Sequence, residues 1–150
     1  MNIVSSIMAD LIGRLEDMEK QSFRKGESME RILVVDDEVE ILESLREFLT
    51  SIDYEVHTAA NGSDAIRKVE DVKPDVVLLD IIMPGMGGFD VLKKIRDIDP
   101  DIGIIMATAV ADEELARRTL NLGAYDYITK PFDLGRVEEV VMIKMAERRG

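Results

Sequence analysis

Several short apolar runs in this 150-residue chain end directly on side chains that could do chemistry. In open parallel sheets, ligands bind beyond the carboxyl ends of the strands, so residues at those ends are the first candidates for a site. If the apolar runs are strands of one such sheet, three carboxylates, one hydroxyl and one ammonium group meet at a single edge. In chain order these residues are Asp36, Asp37, Asp80, Thr108 and Lys130, which precedes Pro131.

The three carboxylates would repel one another unless a cation lies between them. Two unit charges about 5 Å apart repel by roughly 3 kcal/mol at an effective dielectric constant of 20. A hard divalent cation removes this penalty, and Mg²⁺ suits best because it takes one or two carboxylates and keeps water ligands for a phosphate. With such an ion bound, Asp80 can act as a carboxylate nucleophile that forms an acyl phosphate. Lys130 and the Thr108 hydroxyl would then neutralise and position the transferred group.

Each of these residues alone has an ordinary structural interpretation. Two aspartates after a strand most often cap a helix, and one aspartate at a strand end is usually a turn residue. His57 is the only histidine, lies in a run that also contains Glu55, and has no motif around it, so we interpret it as structural. Only the combination of complementary groups at four strand ends favours a site.

The elements that would position these residues alternate in type. Short β-branched apolar runs predict five strands, and segments with helical spacing between them predict five helices. This alternation implies right-handed crossovers and a parallel sheet with helices on both faces. Three of the runs are apolar nearly throughout and are predicted to be central strands, whereas the run that contains His57 is predicted to lie at an edge. The predicted strands are Ile32–Val35, Tyr54–Thr58, Val76–Leu79, Ile102–Ala107 and Tyr125–Ile128.

Composition limits the classes of function. The formal net charge of −12 disfavours direct binding to nucleic acid or to anionic lipid. The chain has no cysteine, which excludes disulfides and thiolate metal sites. No apolar run approaches the roughly 20 residues of a membrane-spanning helix, and the amino terminus lacks the pattern of a secretory signal. We therefore expect a cytoplasmic protein.

The first 28 residues do not belong to the alternating pattern. Apolar residues at spacings of four and three predict an amphipathic helix with a short coiled-coil-like stripe, although it extends over only about two heptads. Such a helix could lie on its own domain, bind a partner or pair with a second copy. Alternatively the segment is not native, because "KGES" before Met29 is what a translated ribosome-binding sequence would spell. The stripe consists of Val4, Met8, Leu11, Leu15 and Met18.

Residues 29–150 resemble the receiver domain of bacterial two-component response regulators, in particular the single-domain chemotaxis and sporulation type. The motifs that carry the resemblance are "ILVVDDE", "DVVLLDIIMPGMGGFDVL", "IIMATA" and "GAYDYITKPF". The resemblance implies an α/β, doubly wound, flavodoxin-like fold with five parallel strands in the order 2-1-3-4-5 and five helices. We therefore divide the chain into an extension, residues 1–28, which adds one helix, and a receiver domain, residues 29–150.

The resemblance also implies roles for the acidic residues. Asp80 would be the phosphoacceptor. Mg²⁺, with Mn²⁺ as a substitute, would be bound by the carboxylates of Asp36, Asp37 and Asp80 and by the backbone carbonyl of Ile82. Ile82 and Val110 would tune dephosphorylation, and because both are apolar and orient water poorly, we expect a long-lived acyl phosphate.

Further roles follow from the same resemblance for residues of the last two strands. Thr108, the backbone of Ala109 and Lys130 would stabilise the phosphoryl group. Thr108 and Tyr127 would change position together as a switch. Pro131 would follow a cis peptide bond, an isomer found essentially only before proline.

The implied function is a signalling switch that promotes its own phosphorylation and slow dephosphorylation, not a conventional enzyme. A sensor histidine kinase or a phosphotransfer protein would donate the phosphoryl group, as in a phosphorelay. An output protein would bind the surface formed by the fourth helix, fifth strand and fifth helix of the domain. A homodimer would form through that surface or through residues 1–28. Alternatively, the chain is the receiver fragment of a larger regulator or hybrid kinase whose output domain lies elsewhere.

Overall fold

The structure is a computed structural model that describes residues 3–24, 29–109 and 113–149, with side chains in 3–15, 29–109 and 113–148. These residues form six helices and five strands. The helices are α1 (Ile3–Arg24), α2 (Val39–Ser51), α3 (Gly62–Val72), α4 (Gly88–Ile98), α5 (Glu113–Asn121) and α6 (Leu134–Arg149). The strands are β1 (Arg31–Val35), β2 (Glu55–Ala59), β3 (Val76–Asp80), β4 (Gly103–Thr108) and β5 (Asp126–Thr129).

The five strands form one parallel sheet in the order β2-β1-β3-β4-β5, which confirms the predicted fold. Every residue of β3 and β4 is buried, whereas four of the five residues of β2 are only partly buried. The predicted central strands are therefore central, and the strand that contains His57 lies at an edge. Strands covered on both faces need apolar side chains at every position, which explains their continuous apolar runs.

Successive side chains of each strand enter two different cores. Leu33 and Val35 of β1 pack with α3 and α4 on one face of the sheet, and Ile32 and Val34 pack with α2 and α6 on the other. This alternation follows from the two-residue period of a β-strand. Both cores are fully enclosed, so the carboxyl ends of the strands project from a rigid layer.

Local signals in the sequence mark several helix boundaries. Asn61 caps α3, since its side chain accepts a hydrogen bond of 2.9 Å from the backbone N–H of Asp64. Asp133 accepts one of 2.9 Å from the N–H of Gly135 at the start of α6. Gly123 follows α5 with a φ of +103°, a left-handed conformation that favours glycine.

Helix α1 presents its apolar side chains to solvent. Met8, Leu11 and Leu15 are 53%, 48% and 61% exposed. The interpretation in which this helix lies on its own domain is therefore wrong for the described side chains, and that of Met18 lies outside them. No helix in the described ranges is long and apolar enough to span a membrane.

Helix α4 begins in close contact with the end of β3, at a position that only glycine can fill. A Cβ atom on Gly88 would lie 2.3 Å from the carbonyl oxygen of Asp80 and 2.7 Å from Cα of Ile81. The N–H of Gly88 also donates a hydrogen bond of 2.9 Å to the carbonyl oxygen of Ile81. The start of α4 is thereby fixed against the backbone that carries Asp80.

We predict that Gly88→Ala lowers the free energy of unfolding by about 1–3 kcal/mol, because the added methyl group overlaps backbone atoms that cannot move away. Gly87→Ala is the matched control, since its Cβ would meet only the Ile81 carbonyl oxygen at 3.9 Å. Alanine is a poorer N-cap residue than glycine, which destabilises the protein, but it also lowers the entropy of the unfolded chain, which stabilises it. Because the two effects nearly cancel, we expect Gly87→Ala to change the free energy of unfolding by less than about 1 kcal/mol. Urea unfolding followed by circular dichroism measures both. Equal effects at the two positions would contradict the prediction.

Candidate functional site

The predicted site residues Asp36, Asp80, Thr108 and Lys130 lie at the carboxyl edge of the sheet, the edge at which the parallel strands end. Asp36 follows β1 directly, Asp80 is the last residue of β3, and Thr108 is the last residue of β4. Lys130 follows β5 directly. Because all strands run in the same direction, their ends meet here and bring together residues that lie far apart in the sequence.

Three carboxylates form what we call the acidic cluster: Asp36, Asp37 and Asp80. One carboxylate oxygen of each lies within 4.8 Å of the others. Asp36 and Asp80 are buried, with 2% and 4% of their surface exposed, whereas Asp37 is exposed. One buried edge and one open edge are what a cation with both protein and water ligands requires.

Backbone hydrogen bonds fix the position of Asp36. Its N–H donates to the carbonyl oxygen of Ala59 at 3.1 Å, and its Oδ1 accepts from the N–H of Glu38 at 2.9 Å. Glu38 is the N-cap residue of α2 and makes no side-chain capping bond. The paired aspartates thus precede the cap, and Asp36 supports the start of α2 while its Oδ2 remains directed to the cluster.

Lys130 is the counter-charge of the acidic cluster. Its Nζ lies 2.7 Å from Oδ2 of Asp36 and 3.4 Å from Oδ2 of Asp80, and its side chain is mostly buried. Its backbone N–H donates to the carbonyl oxygen of Thr108 at 2.7 Å, and its peptide bond to Pro131 is cis. One ammonium group against three carboxylates leaves excess negative charge when all are ionised.

Burial and the neighbouring charges shift the pKa values of two groups in the cluster. Burial, followed by repulsion from Asp36, raises the pKa of Asp80 to about 6 from its ordinary 3.8, against the opposing influence of Lys130. Burial acts to lower the pKa of Lys130, but its hydrogen bond and attraction to Asp36, with help from Asp80, raise that pKa above its ordinary value. Lys130 therefore stays charged, and the cluster still lacks positive charge. A hard divalent cation held by these oxygen donors fits that need.

Thr108 and Tyr127 lie on the same face of the sheet. Tyr127 of β5 is paired with Met106 of β4, and Thr108 is two residues further along β4. Residues two apart on a strand share a face, so Thr108 lies on the same face as Met106 and its partner Tyr127. Tyr127 is half-buried and Thr108 is fully buried. A movement of Thr108 towards the cluster would change the space beside Tyr127. Ala109, directly after Thr108, is exposed.

The segment after Asp80 folds back towards the acidic cluster. The N–H of Ile82 donates to Oδ1 of Asp80 at 3.3 Å, and the Ile82 side chain is 62% exposed. An apolar side chain therefore lies beside the open edge of the site, where it offers no polar atom to orient water. Val110 lies outside the described residues, and its predicted influence on dephosphorylation stays a prediction.

Two arginines connect α4 to the region of α5 and β5, which sequence reasoning did not predict. Arg118 of α5 lies over the ring of Phe89 in α4, with 4.5 Å between its Cζ and the ring centroid. Arg96 of α4 donates to the carbonyl oxygens of Ile102 and Gly123, at 2.6 and 3.0 Å. The sequence shows only arginines on predicted helices, and periodicity does not reveal which carbonyl or ring each one meets. Phe89 follows Gly88 directly, so this contact links the start of α4, which adjoins the backbone of Asp80, to α5.

His57 does not take part in the site. Its Nε2 is hydrogen-bonded to Oε2 of Glu55 at 3.0 Å on the edge strand β2. This bond, the largest influence, lowers the pKa of Glu55. The contact agrees with our interpretation of His57 as structural.

Known proteins match this chain over the domain that carries the site. The family model described as response regulator receiver domain matches residues 32–142. The regulatory protein AtoC of Escherichia coli is 40% identical over 114 residues, covering 76% of this chain and 25% of its own length. The chemotaxis protein CheY of Thermotoga maritima is 39% identical over 112 residues, covering 74% of this chain and 93% of its own length.

A solved structure gives the same result at the level of the fold. The CheX–CheY–BeF3–Mg complex from Borrelia burgdorferi contains a chain that is 35% identical and superposes with a TM-score of 0.73. The alignment covers 76% of this chain and 87% of that one. The chain thus spans about a quarter of AtoC but nearly all of the shorter CheY relatives.

We predict that Asp80→Asn raises the free energy of unfolding of the metal-free protein near neutral pH, by about 1–3 kcal/mol for a pKa displaced by roughly two units. The folded-state pKa of about 6 exceeds the ordinary 3.8, so ionisation of Asp80 opposes folding above that value. As the pH falls towards about 4, Asp80 becomes protonated and its charge no longer destabilises the folded state. The stabilisation gained from Asp80→Asn therefore disappears as well. Urea unfolding in chelator at both pH values measures it.

Asp37→Asn is the matched control, because Asp37 is exposed and its charge is screened by water. We expect it to stabilise the metal-free protein less than Asp80→Asn does. A gain from Asp80→Asn that is the same at both pH values would contradict the pKa origin of the effect.

Proposed function

The chain belongs to the response regulator receiver domain family, and on that basis we propose that it is switched by phosphorylation of Asp80 in a reaction that depends on Mg²⁺. Receiver domains are signalling switches and not conventional enzymes. The observation that carries the proposal is the burial of Asp80 between two further carboxylates and the ammonium group of Lys130. A cation held by Asp36, Asp37, Asp80 and the backbone carbonyl of Ile82 would neutralise the carboxylates and the incoming phosphoryl oxygens.

The chemical step is the transfer of a phosphoryl group to a carboxylate oxygen of Asp80. The donor would be a phosphohistidine of a sensor kinase or phosphotransfer protein. A carboxylate oxygen of Asp80 forms a bond to phosphorus while the bond from phosphorus to the imidazole nitrogen breaks, and the departing imidazole takes up a proton. Positioning and charge neutralisation account for most of the catalysis in such transfers.

Lys130 would move towards Asp80 when a phosphoryl group is added there. It now lies closer to Asp36 than to Asp80, at 2.7 against 3.4 Å. A phosphoryl group on Asp80 adds nearly two negative charges on that side, so the ammonium group would be drawn towards it. The Thr108 hydroxyl and the backbone N–H of Ala109 would donate to the remaining phosphoryl oxygens, since Thr108 is the last residue of β4 and Ala109 follows it directly.

Phosphorylation would be communicated to the surface formed by α5, β5 and α6. Thr108 and Tyr127 share a face of the sheet, so inward movement of one makes room for the other. The contact of Arg118 with Phe89 joins α5 to the acceptor region directly. We propose that this surface binds the output protein, in the way that a population shift between two states exposes a binding face. The net charge of −12 argues against direct contact of the domain with nucleic acid.

We predict that the chain gains one phosphoryl group when it is incubated with Mg²⁺ and acetyl phosphate, as measured by intact mass. Asp80→Asn should abolish the gain, because the acceptor oxygen is replaced by an amide. Asp90→Asn, an exposed aspartate in the first turn of α4, is the control and should be labelled like the wild type. Chelation of Mg²⁺ should also prevent labelling. Labelling of Asp80→Asn would refute Asp80 as the acceptor.

We further predict that the acyl phosphate lasts for minutes or longer. The exposed Ile82 side chain offers no group to orient an attacking water, and such orientation is a large part of hydrolytic rate. Ile82→Asn should shorten the lifetime severalfold, as measured by the decay of the phosphorylated mass after removal of the donor. Ile98→Asn, at the far end of α4, should leave it unchanged. A wild-type lifetime of seconds would contradict the prediction.

A further inference from the structure

Helix α1 carries an apolar face that the described part of the domain does not cover. This face consists of Val4, Met8, Leu11 and Leu15, and about half or more of each side chain is exposed. Monomeric proteins rarely present a contiguous apolar surface of this kind unless another molecule binds it. Most of the apolar surface of the described side chains of α1 is exposed, although helices in proteins draw most of their stability from packing such a surface. The face therefore requires an occupant.

We propose that the occupant is the same face of a second copy of the chain, and that the two α1 helices pair in parallel as a short coiled coil. The spacing of four and three residues puts Met8 and Leu15 at the first apolar position of the heptad, and Val4 and Leu11 at the second. When two such helices pair, each of these side chains fits between side chains of the facing helix. Both copies then bury the same residues.

The residues beside the apolar face match a second copy in this register. In a parallel pair, the residue just before the first apolar position of one helix lies next to the residue five positions later in the other. Ile7 would therefore lie next to Ile12 of the second copy. Both isoleucines are half-exposed in the single chain, at 55% and 50%. Pairing would cover these flanking side chains together with the apolar face.

Charge favours the parallel arrangement over the antiparallel one. Like Ile7, Arg14 comes just before a first apolar position of the heptad. In a parallel pair it would therefore lie next to residue 19 of the second copy, which is a glutamate in the sequence. In a fully overlapping antiparallel pair, Arg14 would instead lie next to Arg14 of the second copy. The present partner of Arg14 is Asp10, at 3.2 Å, and both side chains are largely exposed, so this pair stabilises little and does not hold Arg14 in place.

A lipid surface is a poorer match for the same face. Helices that lie in a membrane interface usually have lysine and arginine on their polar side. Between residues 3 and 24 the sequence has four acidic and three basic residues, so the polar side of α1 is not predominantly basic. The chain as a whole carries a formal charge of −12, which anionic lipid would repel. Because the stripe extends over only about two heptads, we expect a weak dimer with a dissociation constant in the micromolar range.

Sedimentation equilibrium of the full chain tests the proposal. The mass should rise from 16.9 kDa towards twice that value as the concentration increases from micromolar to submillimolar. Met8→Glu with Leu11→Glu should raise the dissociation constant at least about tenfold, since it puts like charges into the seam. Ser6→Glu with Ala9→Glu adds the same charges on the outer face of the same helix and should change it far less. A chain that stays monomeric, or two double variants that behave alike, would overturn the proposal.

Cysteine cross-linking tests the direction of the pair, because the chain has no native cysteine. Val4→Cys should form a disulfide-linked dimer on oxidation, since the same residue meets across a parallel seam but lies at opposite ends of an antiparallel one. Ser6→Cys is the control and should cross-link much less. A dimer in which Val4→Cys and Ser6→Cys react equally would overturn the parallel arrangement. Co-sedimentation of a monomeric chain with anionic phospholipid vesicles, lost in the Met8 and Leu11 variant, would assign the face to lipid instead.

Discussion

The structure depends on a charge imbalance that is fixed at one edge of a rigid sheet. The ends of β1 and β3 hold three carboxylates within 4.8 Å, and among the described residues one ammonium group, that of Lys130, lies against them. A buried group of unequal charges destabilises the chain that contains it unless a cation binds, because burial weakens the compensation by water. Burial, followed by repulsion from Asp36, raises the pKa of Asp80 to about 6, in keeping with this imbalance. Because positive charge is already lacking at this site, we expect its side chains to rearrange when further negative charge is added.

The rest of the domain fixes the positions of these charged groups and connects them to more distant helices. Two enclosed cores fix the strand ends, so the carboxylates cannot separate to relieve their repulsion. Gly88 allows α4 to begin against the backbone of Asp80, and Phe89 and Arg118 then join α4 to α5. The same sheet that buries Thr108 carries Tyr127 beside it. In the proposed function, these contacts would connect Asp80 with the α5–β5–α6 surface.

The extension and the domain differ in what stabilises them. The domain is stabilised by its own cores, whereas the described side chains of α1 bury little within the chain. We propose that association stabilises α1, and its heptad spacing favours a copy of itself. The residues proposed for association through α1 differ from those of the proposed α5–β5–α6 signalling surface, so the first need not interfere with the second.

The sequence by itself determined the elements and the chemistry. Short β-branched apolar runs predicted each strand to within one residue at either end, for example Ile102–Ala107 against the observed Gly103–Thr108, and their continuous apolar character predicted which strands are central. These features are local, because hydrophobic periodicity reflects burial of each segment. The strand order came from the family resemblance, since alternation and handedness of crossovers permit several orders. Only the tertiary structure decided that Lys130 lies nearer Asp36 than Asp80, that the pKa of Asp80 is raised to about 6, that Arg118 stacks on Phe89 and that the face of α1 is left uncovered. Each of these depends on distances between segments far apart in the chain, which spacing along the sequence does not contain.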